Sequence, residues 1–178
     1  MPIGNLFTEF CDFMNIDIQE SMCTIEKLNA FDFKKVGLLI HNKENQKMIF
    51  SSNDFIESDK NRQLVYIWLN INRSSNSEEI IYIGKTQFSI HKRMKEHLRG
   101  FRGKENNGSI SGSKKFKHLI NLINTGSEIQ IWTRQAENRE LMIRKKKLEK
   151  ISHYSVEEEY FIQFFNPNLN NKEFLKTL

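Results

Sequence analysis

Two short apolar segments, 64–69 and 80–84, give the chain its clearest pattern. The first reads LVYIWL and the second IIYIG, and a polar loop over 72–79 joins them. Both are rich in β-branched and aromatic residues and are bounded by turn-forming residues, so each is predicted to be a strand. Because neither face of either segment is polar, we expect both strands to lie in the interior of a small sheet.

Side chains alternate between the two faces of a strand, which orders the residues around the second tyrosine. Tyr82 is therefore expected to share a face with Ile80, and Ile81 to share the opposite face with Ile83. We expect the strand to break at Gly84, because a glycine allows a sharp turn or the close approach of a ligand.

Apolar residues at helical spacing over 90–98, followed by Gly100, predict a helix directly after this strand. Arg93 and His97 lie four positions apart and therefore project from the same face of that helix. Together with the tyrosines, they could form a phosphate-binding site beside the glycine. The alternative is a pair of core tyrosines with a solvated arginine, which short motifs of this kind do not exclude.

Residues 1–60 contain a second group of predicted elements. Residues 36–40 and 48–50 are apolar and flank a polar turn, which predicts a β-hairpin. Residues 53–62 form a polar connector, so we divide the chain into an N-terminal accessory extension, 1–60, and a main domain, 61–178. The extension could equally complete the hydrophobic core. An amphipathic helix is predicted ahead of the hairpin from residues at helical spacing: Leu6, Phe10, Phe13 and Met14.

Residues 101–114 are rich in glycine, serine, asparagine and lysine, which predicts a flexible basic loop. Apolar residues at helical spacing over 116–123 then predict a helix that ends at Gly126, and 128–134 alternates as a third strand. The chain is therefore predicted to belong to the α/β (α+β) class, with a small, three-stranded, mostly antiparallel sheet flanked by helices.

Composition and charge narrow the class of protein. The chain has 178 residues, of which 28% are charged and 11% aromatic, as in a globular protein with one core. Its net charge of +5 and pI of about 9.1 are consistent with a polyanionic partner. Cys11 and Cys23 have neither zinc-site nor disulfide spacing, which indicates reduced thiols. With no apolar run near the ~20 residues of a membrane span and no signal-peptide pattern, we expect a cytoplasmic protein.

Three consecutive glutamates, 157–159, lie in a helix predicted from about Ser155 to Phe165. At about 100° per residue, Glu158 falls in the middle of the apolar stripe, and its two neighbours lie near the margins. An ionised carboxylate on an apolar face is costly unless it is paired or bound to a cation. This favours Glu158 as a metal ligand. The alternative is a capping box in which Glu158 and Ser155 only satisfy backbone groups.

In their order along the chain, these residues resemble the motifs of the GIY-YIG nuclease superfamily. Tyr66 stands in the first motif, where Leu64 replaces the usual glycine, and 82–84 matches the second motif. The loop between the two tyrosines is longer than is common in the family, which suggests a lengthened hairpin. Arg93 matches the essential arginine of the family, and His97 matches the histidine that often follows four residues later.

Near the other end, Glu158 resembles the metal-binding glutamate of the family, and Pro167 with Asn170 resembles its closing Pro-x-x-Asn. The resemblance covers about residues 64–170. It implies a metal-dependent endonuclease that hydrolyses phosphodiester bonds of DNA, which we expect to be double-stranded. It also implies Mg²⁺ as the ion, with Mn²⁺ able to replace it. Roles in restriction, in a phage or mobile element, or in repair all fit.

The resemblance assigns catalysis to five residues: Tyr66, Tyr82, Arg93, His97 and Glu158. Tyr66 is expected to be the general base. Because the reference pKa of tyrosine is about 10, a nearby cation, such as Lys85 or the metal, has to lower it. Arg93 is expected to bind the phosphate oxygens. His97 is expected to take the phenol proton or to bind the phosphate, and the alternative is a core histidine.

Six further residues are predicted to contact DNA: Lys85, Lys114, Lys115, Asn170, Arg144 and Lys145. Lys115 resembles a functional lysine of phage members of the family, and the alternative is a solvated lysine. The basic run 144–147 is either a solvated face or a track for a DNA backbone. Extensions such as 1–60 usually resemble specificity or oligomerisation elements in this family, so the chain could form a homo-oligomer. The alternatives are a non-catalytic nucleic-acid-binding module with this fold and a nuclease that acts on RNA.

Overall fold

A computed structural model describes six parts of the chain: residues 21–52, 63–102, 109–136, 138–143, 146–152 and 154–178, with the backbone alone in the fourth and fifth of these. The helix predicted from Leu6 to Met14 lies outside the described residues. The polar connector 53–62 and part of the basic loop, 103–108, also lie outside them, as do Arg144 and Lys145.

The described residues form five α-helices and seven strands. The helices are α1 (Thr24–Ala30), α2 (Ile90–Gly100), α3 (Ile110–Asn124), α4 (Tyr154–Phe165) and α5 (Lys172–Thr177), with a short 3₁₀ turn at Asn168–Asn170. The strands are β1 (Lys34–Asn42), β2 (Lys47–Ser52), β3 (Leu64–Asn72), β4 (Ser77–Thr86), β5 (Ser127–Gln135), β6 (Asn138–Ile143) and β7 (Lys146–Ser152).

Strands β1 to β5 form one sheet in the order β2-β1-β5-β3-β4, and every neighbouring pair in it is antiparallel. The mixed α/β class and the antiparallel pairing are confirmed, but the prediction of three strands is wrong. The hairpin β1–β2, itself confirmed, pairs with β5 and extends the sheet to five strands, with Leu39 opposite Ile129. Strands β6 and β7 form a separate two-stranded sheet. The division of the chain at residue 60 stays a prediction.

The sheet carries an apolar cluster on each face. The face formed by residues such as Tyr66 and Trp68 is packed against α2 and α3, and we call it the α2/α3 face. The opposite face, formed by residues such as Val65 and Ile67, is packed against α1 and α4, and we call it the α1/α4 face. Strand β3 is buried along 64–70 because helices cover it on both sides. The fold therefore has three layers, with the sheet in the middle.

Strand β4 differs from the prediction in two ways. It lies at the edge of the sheet and not in its interior. The register of its pairing with β3 also shifts. Trp68 pairs with Tyr82, but the next residue of β3 pairs with Ile80, so Ile81 has no residue opposite it on β3. This β-bulge puts Ile81 in the same cluster as Tyr82, and Ile80 in the cluster of Ile83. The predicted simple alternation is therefore wrong.

The exposed edge of β4 is closed by a side chain from the C-terminal tail. Asn170 Oδ1 accepts a hydrogen bond from the backbone N–H of Ile83 at 2.8 Å, and Asn170 Nδ2 donates to the carbonyl of Ile83 at 2.8 Å. The amide thus replaces a neighbouring strand at this position. Pro167 follows the end of α4, and Asn170 lies in the short 3₁₀ turn beyond it.

Helices α2 and α3 meet at two glycines. A Cβ atom on Gly112 would clash with the backbone carbonyl of Gly100, so only glycine allows this close approach. Helix α3 begins at Ile110, where Ser109 Oγ accepts a hydrogen bond from Gly112 N at 2.9 Å. It begins earlier than predicted, because this cap lies inside the segment expected to be a loop. Its predicted end is confirmed, with Gly126 at φ +90° just beyond it.

Among the described residues, no helix has the length and apolar composition needed to cross a membrane.

Candidate active site

The hydroxyl of Tyr66 is the centre of the site. Tyr66 lies on β3, between β5 and the edge strand β4, and is fully buried. Arg93 Nε donates a hydrogen bond to its hydroxyl oxygen at 3.1 Å, and His97 Nε2 lies 2.6 Å from the same oxygen. Both partners come from α2, where they are one turn apart. The prediction that they project from one face is confirmed, and that face points at the tyrosine.

Gly84 makes room for this phenol. It lies opposite Tyr66 in the β3–β4 pairing, and a Cβ atom at this position would clash with the hydroxyl and ring of Tyr66. Strand β4 continues to Thr86, so the predicted break at Gly84 is wrong. Glycine is needed here for close approach and not for a turn.

Tyr82 and Lys115 extend the site on the same face. The ring of Tyr82 lies with its centroid 6.0 Å from that of Tyr66 and 4.5 Å from that of Trp68. Lys115, from the second turn of α3, holds its ammonium 3.9 Å from the centroid of the Tyr82 ring, a cation–π contact. The two predicted tyrosines, Arg93, His97 and Lys115 are therefore brought together by β3, β4, α2 and α3.

Burial controls the protonation of the two phenols. It raises the pKa of Tyr66 well above 10, and the neighbouring Tyr82 adds to this, while Arg93 opposes it without overcoming it. Burial likewise raises the pKa of Tyr82, with Arg93 again opposing. The expectation that Lys85 lowers the pKa of Tyr66 is not met, because Lys85 is paired elsewhere. Tyr66 is therefore a neutral phenol at pH 7 and can lose its proton only to a partner.

His97 is that partner. Burial, the positive charge of Arg93 and that of Lys115 lower the pKa of His97 to about 3, so its imidazole is neutral at pH 7. A neutral imidazole whose Nε2 is unprotonated accepts a hydrogen bond from the Tyr66 hydroxyl. Burial also lowers the pKa of Arg93, but the Tyr66 and Glu96 contacts outweigh it and the net shift is upward, so the guanidinium stays charged.

The pKa of Lys115 is lower than that of a solvated lysine. Burial and the charge of Arg93 lower its pKa to about 8. Its ammonium is therefore mostly protonated at pH 7, yet it is held in a partly desolvated position beside another cation. Two cations this close are tolerated most easily where an anion binds between them.

The first two glutamates of the triplet face different surroundings from those predicted. Glu157, and not Glu158, is the buried acid: it is 1% exposed, and its Oε2 lies 3.2 Å from Nε of Arg134, which is 6% exposed. The side chain of Glu158 is 18% exposed, and its Oε2 lies 2.8 Å from Nζ of Lys85. The predicted position of Glu158 in the centre of the buried stripe is wrong: Glu157 is the residue that lies against Arg134 of β5 in the core. The alternative capping box is also not formed, since α4 begins at Tyr154, ahead of Ser155.

Glu158 nevertheless faces the site. Its negative charge contributes to the raised pKa of Tyr82, behind the larger effect of burial. Its partner, Lys85, follows Gly84 on β4 and is 39% exposed. An acid from α4 therefore lies near the Tyr82 phenol of β4, although the two residues are far apart in the sequence.

A pocket of about 210 Å³ opens beside Arg93, between α2 and α3. Its charged lining groups are Arg93, Lys115 and Glu96, and His97 also lines it. Glu96 Oε2 accepts a hydrogen bond from Arg93 Nη1 at 2.9 Å. The sequence analysis did not single out Glu96, although its i,i+3 spacing from Arg93 could have suggested the pair. The volume and the two cations suit an anion of the size of a phosphate group.

Besides Lys85, which is paired with Glu158, two more of the predicted DNA contacts are engaged within the protein. Lys114 Nζ donates to the carbonyl of Leu175 at 2.7 Å and so holds the C-terminal helix α5. Asn170 uses both ends of its amide on Ile83. These contacts position elements around the site, and a direct DNA contact of either residue stays a prediction.

The acidic groups restrict the kind of metal site. In the described ranges, no group of three or more His, Cys, Asp or Glu side chains could hold a metal ion. The single carboxylate of Glu158 does suit Mg²⁺, which is commonly bound through one or two carboxylates, with water and phosphate oxygens completing the shell. The Lys85 ammonium, 2.8 Å from that carboxylate, shows that the position attracts a cation.

Comparison with known proteins bears on the fold. No family model matches the chain, and no curated protein matches it. Among solved structures, a mutant of bacteriophage T4 EndoII is 20% identical, covers 82% of this chain and 97% of its own, and has a TM-score of 0.58. Restriction endonuclease HPY188I in complex with product DNA is also 20% identical, covers 88% of this chain and 86% of its own, and has a TM-score of 0.47. The chain is thus similar in fold to EndoII.

Proposed function

We propose that this protein is a metal-dependent DNA endonuclease of the GIY-YIG type. The observation that carries the proposal is the Tyr66 hydroxyl, bound by both Arg93 Nε and His97 Nε2. A neutral phenol between a permanent cation and a proton acceptor suits the hydrolysis of an anionic ester. The fold shared with phage EndoII supports the same class of activity.

Hydrolysis of a phosphodiester requires the attacking water to lose a proton. Tyr66 would accept that proton on its hydroxyl oxygen while it passes its own proton to His97 Nε2, 2.6 Å away. The raised pKa of Tyr66 does not prevent this, because the phenol never has to ionise in advance. His97 starts neutral, and its pKa of about 3 makes it a weak acceptor in the free protein. A phosphate bound by Arg93 and Lys115 would offset the two charges that lower this pKa, and so would make His97 a stronger base.

The transition state carries more negative charge on the phosphate oxygens than the substrate does. Arg93 and Lys115, both at the wall of the pocket, would bind those oxygens. Their position beside Tyr66 would hold the phosphorus within reach of the activated water. To bind phosphate, Arg93 would have to loosen its contact with Glu96. That contact is weak because both side chains are partly exposed.

Glu158 would hold Mg²⁺, or Mn²⁺ in its place. When bound, the ion would stabilise the charge on the phosphate and on the leaving oxygen. Lys85, which now neutralises Glu158, would turn toward the substrate, and its exposed side chain has the freedom to do so. The net charge of +5 supports a nucleic acid as the substrate, and we propose double-stranded DNA.

A plasmid-nicking assay in Mg²⁺ tests the proposal. Wild-type protein should convert supercoiled plasmid, whereas Arg93→Ala and Glu158→Ala should each lower the cleavage rate by about 10²–10³-fold, the usual loss for one transition-state contact. Lys95→Ala, which removes an exposed cation from the same helix as Arg93, is the matched control and should cut at the wild-type rate.

Two outcomes would contradict the proposal in different ways. Binding of DNA without cleavage in Mg²⁺ or Mn²⁺ would support a non-catalytic nucleic-acid-binding module. Cleavage of an RNA of the same sequence, with DNA left intact, would keep the chemistry and replace the substrate.

A further inference from the structure

The buried ion pair between Arg134 and Glu157 lies on the α1/α4 face, opposite the Tyr66 hydroxyl. Arg134 Nε is 3.2 Å from Glu157 Oε2, and Arg134 Nη1 donates to the carbonyl of Phe31 at 3.0 Å. Burying two charges loses solvation that their attraction often only balances, and an apolar pair of similar volume can fill the same space. The pair is therefore better explained by the orientation it imposes than by stability.

The apolar side chains of α4 define which side of the helix is buried, with Phe161 fully buried and Val156 64% exposed, but they leave its rotation open by about one residue. Its aromatic residues come in adjacent pairs, Tyr160 with Phe161 and Phe164 with Phe165. The members of each pair differ by about 100° around the helix axis. The rings of Phe161, Phe164 and Phe165 all contact Phe31, with centroids 5.1, 6.0 and 6.4 Å away. Aromatic contacts of this kind tolerate repacking, and three consecutive glutamates in the helix add no further distinction.

The contact with Arg134 distinguishes one rotation of α4 from the others. With Glu157 held against the Arg134 guanidinium in the core, the next residue points about 100° further around the helix. That direction brings Glu158 to Lys85, at 2.8 Å, and toward Tyr82. A helix rotated by one residue would bury Glu158 and turn Glu159 toward β4.

We propose that the Arg134–Glu157 pair is a positioning element that fixes the rotation of α4 and so presents Glu158 to the site. The inference rests on the proposed function, in which Glu158 holds the metal ion. Arg134 and Glu157 are accordingly positioning residues that act through Glu158, and neither touches the substrate.

The double variant Arg134→Met/Glu157→Met tests this. It removes both charges and keeps similar volume, so it should remain folded, as judged by circular dichroism and thermal unfolding. Its dissociation constant for Mn²⁺, measured by electron paramagnetic resonance, should rise by about tenfold or more. The kcat for plasmid cleavage should fall by a similar factor, while KM for DNA stays the same. Glu159→Gln, on the same helix and exposed, is the matched control and should change none of these values.

A folded double variant with wild-type Mn²⁺ affinity and kcat would overturn the proposal. If that variant does not fold, Arg134→Leu/Glu157→Gln provides the second test, since the amide keeps the shape of the acid while both charges and the guanidinium donor are removed. Wild-type Mn²⁺ affinity in a folded protein with these two substitutions would again contradict the positioning role.

The failure of the proposed function would be recognised separately. If the wild type cuts no DNA, a crystal structure of the double variant still reports the distance between Lys85 Nζ and Glu158 Oε2. An increase well beyond the wild-type 2.8 Å supports the positioning role, and an unchanged distance refutes it.

Discussion

Each face of the sheet contains an arginine, and the two arginines differ in what they contact. Arg134, on the α1/α4 face, is 6% exposed and is paired with the buried carboxylate of Glu157. Arg93, from the helix that covers the α2/α3 face, has about a third of its side chain exposed, donates to the neutral hydroxyl of Tyr66 and is paired with the partly exposed carboxylate of Glu96. A charge neutralised inside the core holds elements in place. A charge beside a neutral phenol and an open pocket remains available to an anion.

The acids show the same contrast one residue apart. Glu157 faces the core and Glu158 faces Lys85 near the rim of the sheet. In this protein, structural and reactive charged groups can be of the same residue type. They differ in whether the partner that neutralises them is buried or exposed. Substitutions at these residues and their neighbours test this difference between structural and reactive groups. The effects expected on DNA cleavage rest on the proposed function.

The largest effect on stability is expected from Arg134→Ala. It removes the guanidinium that lies against the buried Glu157 carboxylate and should lower the free energy of unfolding by about 3–5 kcal/mol. Arg93→Ala should lower it by about 1 kcal/mol, because the Tyr66 hydroxyl keeps its contact with His97. Urea denaturation followed by circular dichroism measures both values. Equal losses would remove the distinction between the two faces.

Gly84→Ala should disturb the α2/α3 face alone. The added methyl group would push the Tyr66 phenol away from Arg93 and His97, at a cost of about 1–3 kcal/mol in stability and with loss of DNA cleavage. Gly100→Ala is the control for stability, because its Cβ would have only an ordinary contact, 3.8 Å from Ser109 Oγ. Retention of full cleavage by Gly84→Ala would show that the position of the phenol is not critical.

The pH dependence of cleavage should reveal the loss of the Lys115 charge. Its pKa of about 8 means that its charge, and its contact with phosphate, are lost as the pH rises through 8. The kcat/KM for DNA should therefore fall by up to about tenfold by pH 9. Lys115→Arg keeps its charge and should remove this alkaline decline. An unchanged profile in that variant would assign the decline to another group.

The lowered pKa of Lys115 should affect stability in the opposite direction to activity. Lys115 has a lower pKa in the folded protein than the usual 10.5, so between pH 8 and about 10.5 the unfolded chain binds more protons. The contribution of Lys115 to stability should therefore rise over the range in which activity falls. Denaturation of wild type and Lys115→Arg at pH 7 and pH 9.5 measures this difference.

The smallest effect is expected at the exposed pair. Lys85→Met removes the cation that competes for the Glu158 carboxylate and should lower the Mg²⁺ concentration for half-maximal cleavage by at most about fivefold, since such pairs contribute little. Titration of cleavage with Mg²⁺ measures the shift. A higher Mg²⁺ requirement would mean that Lys85 supports the metal site and does not compete with it.

The sequence predicted local structure more accurately than the arrangement of charges. The hairpin β1–β2, the strands β3, β4 and β5 and the helices α2 and α4 were all expected, because each has its own periodicity and end signals. The bulge at Ile81 was not expected, since an alternating apolar strand shows no sign of an extra residue. The choice among the glutamates also failed, because helical periodicity carries no information about Arg134 on a distant strand.

By itself, the sequence determined where the hairpin β1–β2, the strands β3 to β5 and the helices α2 to α4 form, and that Arg93 and His97 share one face of a helix, but it did not reveal α1, α5, β6 or β7. Those properties follow from residues a few positions apart. Only the tertiary structure decided that β4 lies at an edge, that both α2 side chains meet on the Tyr66 hydroxyl, and that Glu157 is buried while Glu158 faces Lys85. Each of these depends on which group from a remote part of the chain lies opposite, and burial makes that choice of partner energetically decisive.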